Sequence, residues 1–74
     1  MITLWMKDPT TITTSLSRVD CNVREPNIVN GCVVLAGPEV ATGYGDIGKQ
    51  IKEHAQAARI IYIPVAAIAY ITQA

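Results

Sequence analysis

Cysteine, histidine and charge are all scarce in this 74-residue chain, which has two cysteines, one histidine and 16% charged residues. Cys21 and Cys32 form no Cys-x-x-Cys pair, and His54 has no second histidine near it, so the sequence offers no metal-ligand spacing. No cofactor is expected. His54 also lacks a neighbouring Ser, Cys or carboxylate arrangement, so no enzymatic activity is expected. No basic n-region precedes an apolar h-region, which makes the cytoplasm the expected location and keeps both thiols reduced. Six basic residues balance six acidic ones, which excludes a strong uniform field for polyanions and leaves room only for a local basic cluster. The main apolar run, near the C-terminus, is about a dozen residues broken by Pro64, short of the roughly 20 that cross a bilayer as a helix.

What the chain does have is that run. Arg59-Ile60-Ile61-Tyr62-Ile63 and Ile68-Ala69-Tyr70-Ile71-Thr72 are dense in β-branched and aromatic residues and flank a break at Pro64 to Ala67. Pro64 has no N–H and a fixed φ, so the spacing predicts strand, corner, strand. Both strands are apolar on both faces and need cover from the fold or from another subunit. A single domain of this length, spanning 1–74, buries only about 60% of its unfolded surface, and with disulfide and metal set aside, oligomerisation is the remaining source of stability.

Upstream, Ile2-Thr3-Leu4-Trp5-Met6 alternates with period two and reads as a strand, with Ile2, Leu4 and Met6 on one face and Thr3 and Trp5 on the other. Lys7-Asp8-Pro9-Thr10 reads as a turn, and Thr11 to Val19 as the second strand of a hairpin. Asp20 to Pro26 is a loop. Asn27 to Leu35 reads as a strand bulged at Gly31, the preferred reading, or as a small hairpin turning at Asn30-Gly31. Gly37, Gly43, Gly45 and Gly48 make 37–48 a long loop, the core of an insertion at about 36–58. A short helix capped by Asp46, with Ile47, Ile51 and Ala55 on one face, ends near Ala58.

Gly43-Tyr44-Gly45-Asp46-Ile47-Gly48-Lys49 satisfies Gly-x-Gly-x-x-Gly and resembles the NAD-binding loop of S-adenosylhomocysteine hydrolases over some 20 residues. That resemblance implies nucleotide binding at a helix N-terminus. Against it, the expected acid about 20 residues on is missing, since Ile63-Pro64-Val65 stands there, and the opening hairpin leaves room for only one β-α-β unit.

The two ends together resemble the Sm-like (Hfq/Sm) family. Ile2 to Pro9 and Leu16-Ser17-Arg18-Val19-Asp20 follow its opening strand, turn and long second strand, and Ile63-Pro64-Val65-Ala66-Ala67-Ile68-Ala69-Tyr70-Ile71 matches the apolar frame of its closing motif. The resemblance implies an all-β fold, a small five-stranded bent antiparallel barrel, assembling into a homo-oligomeric ring that binds single-stranded RNA in RNA metabolism. It assigns Ile60, Ile61, Tyr62, Ile63, Ile68, Tyr70 and Ile71 to the subunit interface. It points to Asp20, with Asn22 or Asn27, as RNA-contacting loop residues, and Arg18 and Arg59 are basic candidates for the same RNA-facing surface. The family's Arg-Gly in the closing motif is replaced here by Pro64-Val65, and a structural or protein-binding ring without RNA is the alternative expectation. Trp5 is expected to serve packing, and Tyr62 to lie in core or interface.

Overall fold

The computed structural model describes residues 1–7 and 17–74. Most of the turn expected over 7–10 and of the strand expected over 11–19 lies outside the described residues, and Arg18 and Val19 stand in a strand. The fold is mostly β with one helix, in two antiparallel sheets. The strands are β1 (Ile2–Met6), β2 (Arg18–Cys21), β3 (Ile28–Val29), β4 (Cys32–Ala36), β5 (Val40–Tyr44), β6 (Ile60–Pro64) and β7 (Ile68–Gln73), with helix α1 (Gly45–Ala57) between β5 and β6. One sheet has the order β5-β2-β1-β7, the other β3-β4-β6. Among the described residues seven strands in two sheets, not closed into a barrel, stand where five strands in one closed barrel were expected.

Alternation decides the core. Ile2, Leu4 and Met6 of β1, Val19 and Cys21 of β2 and Ile68 of β7 point inward and meet Val33, Leu35 and Ile63 from the other sheet. Each is at least nine-tenths buried. A fully buried Val, Leu, Ile or Met side chain contributes about 1.5–3 kcal/mol, so these few residues supply most of the driving force.

The registers contain an internal two-fold. Strand β4, the one-turn 3-10 corner Gly37–Glu39 and β5 recur 28 positions on as β6, the corner Val65–Ala67 and β7: Cys32 to Ile60, Gly37 to Val65, Val40 to Ile68. An axis through the Leu4–Val19 and Val34–Tyr62 pairs exchanges β1 with β2, β4 with β6 and β5 with β7. Even the irregularities correspond. The β2–β5 register slips at Ala41 and the β1–β7 register at Ala69, so each strand leaves its corner with one extra residue. Among the described residues only β3 and α1 break the pattern.

Several local expectations need correction. Asn30 and Gly31 have φ of 50° and 76°, so this dipeptide is the two-residue turn of the β3–β4 hairpin, not a bulge in a longer strand. The segment 37–48 is not a loop: it holds a corner, strand β5 and the first turn of α1. Its glycines misled because their cause is tertiary. A Cβ on Gly48 would stand 2.4 Å from the Arg18 carbonyl oxygen, and Gly43 lies against the Gly48 backbone, so α1 can sit on β2 and β5 only where side chains are missing. Asp46 is not the cap; Tyr44 holds that position without a side-chain bond, and Asp46 falls in the first turn, where its charge still suits the helix dipole. Ile47, Ile51 and Ala55 face the core as expected.

Candidate functional site

The outer face of the four-stranded sheet carries two ladders of opposite chemistry. Tyr44, Arg18, Trp5 and Tyr70 are consecutive cross-strand neighbours, one from each of β5, β2, β1 and β7. Thr42, Asp20, Thr3 and Thr72 form the next ladder in the same way. With strands about 4.8 Å apart, each ladder runs roughly 14 Å across the sheet. The internal two-fold maps the first ladder onto the second, Tyr44 onto Thr72, Arg18 onto Thr3, Trp5 onto Asp20 and Tyr70 onto Thr42. The scaffold is therefore symmetric where the surface is not, and packing the core demands neither aromatics nor arginine on that outer face.

The aromatic ladder is internally organised. The Trp5 and Tyr70 rings stack with centroids 5.6 Å apart and 22° between planes. The Arg18 guanidinium carbon lies 4.1 Å from the Tyr44 ring centroid and 5.5 Å from that of Trp5, a cation held between two π faces. The second ladder fixes the first. Trp5 Nε1 donates to Thr72 Oγ1 at 2.9 Å, and Thr3 Oγ1 donates to Asp20 Oδ1 at 2.8 Å. Both bonds lie across neighbouring strands, and the indole bond locks the ring's orientation. Yet the row stays open to solvent: Tyr70 is 52% and Tyr44 42% exposed.

Of the residues expected to face RNA, Arg18 and Asp20 share this surface. Asn22 and Asn27 are exposed in the loop after β2, where the Asn22 N–H donates to the Glu39 carbonyl and the Asn27 carbonyl accepts from Val34. Arg59 is elsewhere, between α1 and β6, at the edge of a cleft of about 370 Å³ shared with Gly37, Pro38, Lys52 and Ala55. Within that cleft the Lys52 ammonium donates to the Val40 carbonyl at 2.8 Å. Of the residues expected at a subunit interface, Ile63 and Ile68 are buried in the chain's own core, and Ile61 and Ile71 pack against it. The closing strands are covered on one face by their own fold, because alternation turns every second side chain inward. Ile60, Tyr62 and Tyr70 face outward.

Sequence reasoning gave Trp5 to packing and Tyr70 to a subunit interface, and met Tyr44 only inside the Gly-x-Gly-x-x-Gly run, so none of the three was read as part of this row. One signal existed for Trp5: its period-two position puts it opposite Ile2, Leu4 and Met6, on the face away from the core. Among the described residues no cluster of three or more His, Cys, Asp or Glu side chains is arranged to hold a metal ion. Nor is any helix among them long and apolar enough to cross a membrane. The Cys21 thiol is pushed up to about 11 by burial first, then by the negative charges of Asp20 and Glu39, which holds it protonated and unreactive near neutral pH. No protein-family model matches the chain, and comparison with curated proteins and with solved structures returned no match.

Proposed function

We propose that the chain binds single-stranded RNA on the outer face of the β5-β2-β1-β7 sheet, by stacking bases on the Tyr44–Arg18–Trp5–Tyr70 ladder. The observation that carries this reading is the ladder itself: three aromatic rings and a guanidinium in adjacent register on an open sheet face. A four-stranded sheet with exposed aromatics on its open face suits unstacked bases, and each base stacked is worth about 1–3 kcal/mol. Thr3, Thr42 and Thr72 line the ladder with hydroxyls that can bond base edges or ribose 2′-OH groups. Arg18 supplies one phosphate or stacking contact, in keeping with a chain of no net charge. The role is binding, without a chemical step, and modest single-site affinity would be raised by self-association.

Trp5 is the one tryptophan, so its fluorescence reports directly on the ladder. Titration with short uridine- or adenosine-rich RNA is expected to quench it, and Tyr70→Ala to weaken binding by about 5- to 100-fold, the span of one lost stack. Fluorescence unchanged up to high micromolar RNA, or Tyr70→Ala binding as tightly as the parent, would sink the proposal. The second reading is an Sm-like ring with a structural or protein-binding role. It draws support from the closing strands β6 and β7, each of which pairs on one side only among the described residues.

A further inference from the structure

We propose that two copies of this chain associate through their β6 edges, antiparallel and two-fold symmetric about Tyr62, to form one continuous six-stranded sheet. The β4–β6 ladder shows which groups are free. The bonds that flank it, Val65 N–H to the Gly31 carbonyl at 2.8 Å and Gly37 N–H to the Arg59 carbonyl at 3.0 Å, set the alternation. By that alternation Ile61 and Ile63 direct their N–H and C=O groups at β4, while those of Ile60 and Tyr62, and the Pro64 carbonyl, point away. No partner strand meets them among the described residues. On the other side of the sheet the equivalent edge of β4 is occupied by β3, whereas no strand among the described residues takes the corresponding position beside β6.

A second copy fits that position by its own geometry. In the Tyr62-centred register the Tyr62 N–H of each copy donates to the Tyr62 carbonyl of the other, and each Ile60 N–H donates to the other copy's Pro64 carbonyl. This register alone overlaps all five strand residues. Pro64 lacks an N–H, so it sits at the ladder's end, where edge prolines are tolerated. No side chain from Ile60 to Gln73 is charged, so nothing there selects a charged partner or repels a second copy. The edge is also apolar outward: Tyr62 is 64% and Ile60 52% exposed, the pair being among the most exposed large hydrophobic residues. The β7 edge is the less open alternative, because the Gln73 side-chain amide bonds the Arg24 carbonyl and so holds a loop with the exposed charges of Arg24 and Glu25 beside it.

Area sets the strength. Ile60, Tyr62 and Val65 bring on the order of 300 Å² of exposed surface per copy, below the roughly 800 Å² per partner of a stable complex. The dimer is therefore concentration-dependent, and is isologous and closed.

The test is a cross-link at the symmetry axis. In a directly opposed, hydrogen-bonded pair the two Cα atoms lie about 5.5 Å apart, inside the range a disulfide spans. Tyr62→Cys, with Cys21 and Cys32 replaced by Ala, is expected to give a covalent dimer on mild oxidation, in a yield that rises with protein concentration, while Ala69→Cys on β7 in the same background gives none. Sedimentation velocity of the unmodified chain should show monomer passing to dimer and no larger species, and Tyr62→Lys should remain monomeric with an unchanged unfolding midpoint. A monomer at every concentration, a mass above dimer, or a Tyr62→Lys variant that still dimerises would overturn it. A head-to-tail ring would announce itself differently, by cross-linking only when the 62 and 69 cysteines are present together.

Discussion

Gly48→Ala isolates the contact that lets α1 lie on the sheet. In an exposed helix interior the change would stabilise by about 1 kcal/mol, because alanine loses less backbone freedom than glycine. Here the new Cβ would stand 2.4 Å from the Arg18 carbonyl oxygen, whereas carbon and oxygen normally meet no closer than about 3.3 Å. Both atoms belong to backbone, so neither can turn aside. The helix must lift by roughly 1 Å, which loosens Ile47, Ile51 and Ala55 against the core, and overpacking of this kind costs about 1–3 kcal/mol. We expect a net loss of about 2 kcal/mol, read in urea as a lowered midpoint with unchanged slope, or as a fall of roughly 8–16 °C in Tm for a domain of this size. Gln50→Ala, exposed on the same helix, should stay within about 0.5 kcal/mol of the parent. A Gly48→Ala midpoint at or above the parent's would refute the packing account of the glycine-rich segment.

Three further outcomes follow from particular groups. RNA binding should depend only weakly on salt, with a slope of log affinity against log salt near −0.7, since Arg18 is the sole cation in the ladder and single strands give about −0.7 per phosphate contact; a slope several times steeper would move the site away from this face. The Cys21 pKa is raised from 9.0 to about 11, so the folded state keeps a proton that the unfolded chain releases. Stability is then complete below about pH 9 and declines by on the order of 2–3 kcal/mol as pH climbs to about 11, a decline that Cys21→Ala should flatten in pH-dependent denaturation. At the hairpin turn, where φ is 76°, Gly31→Ala should cost about 1–2 kcal/mol by urea denaturation although no atom lies within 4 Å of the added carbon; an unchanged midpoint would mean the turn is not held in the left-handed region.

The sequence by itself determined whatever depends on neighbours along the chain. Alternation gave β1 and its inward face, Pro64 between two β-branched runs gave the β6–corner–β7 unit, and the Ile47, Ile51, Ala55 spacing gave α1. Asn30-Gly31 was legible as a turn too, but only β3 beside β4 decides between a turn and a bulge. Tertiary structure decided the rest, for identifiable reasons. Strand β5 was hidden because Gly43 and Gly48 answer to the approach of α1 on β2, a contact between segments far apart in the chain. The internal two-fold was hidden because a buried position asks for an apolar side chain and not a particular one: between 32–44 and 60–72 only Ala41 and Ala69 are identical. The aromatic ladder was hidden most completely. Its register joins residues as distant as Trp5 and Tyr70, and the bond that orients the indole spans 67 positions, so no local pattern in the sequence could bring Tyr44, Arg18, Trp5 and Tyr70 into one row.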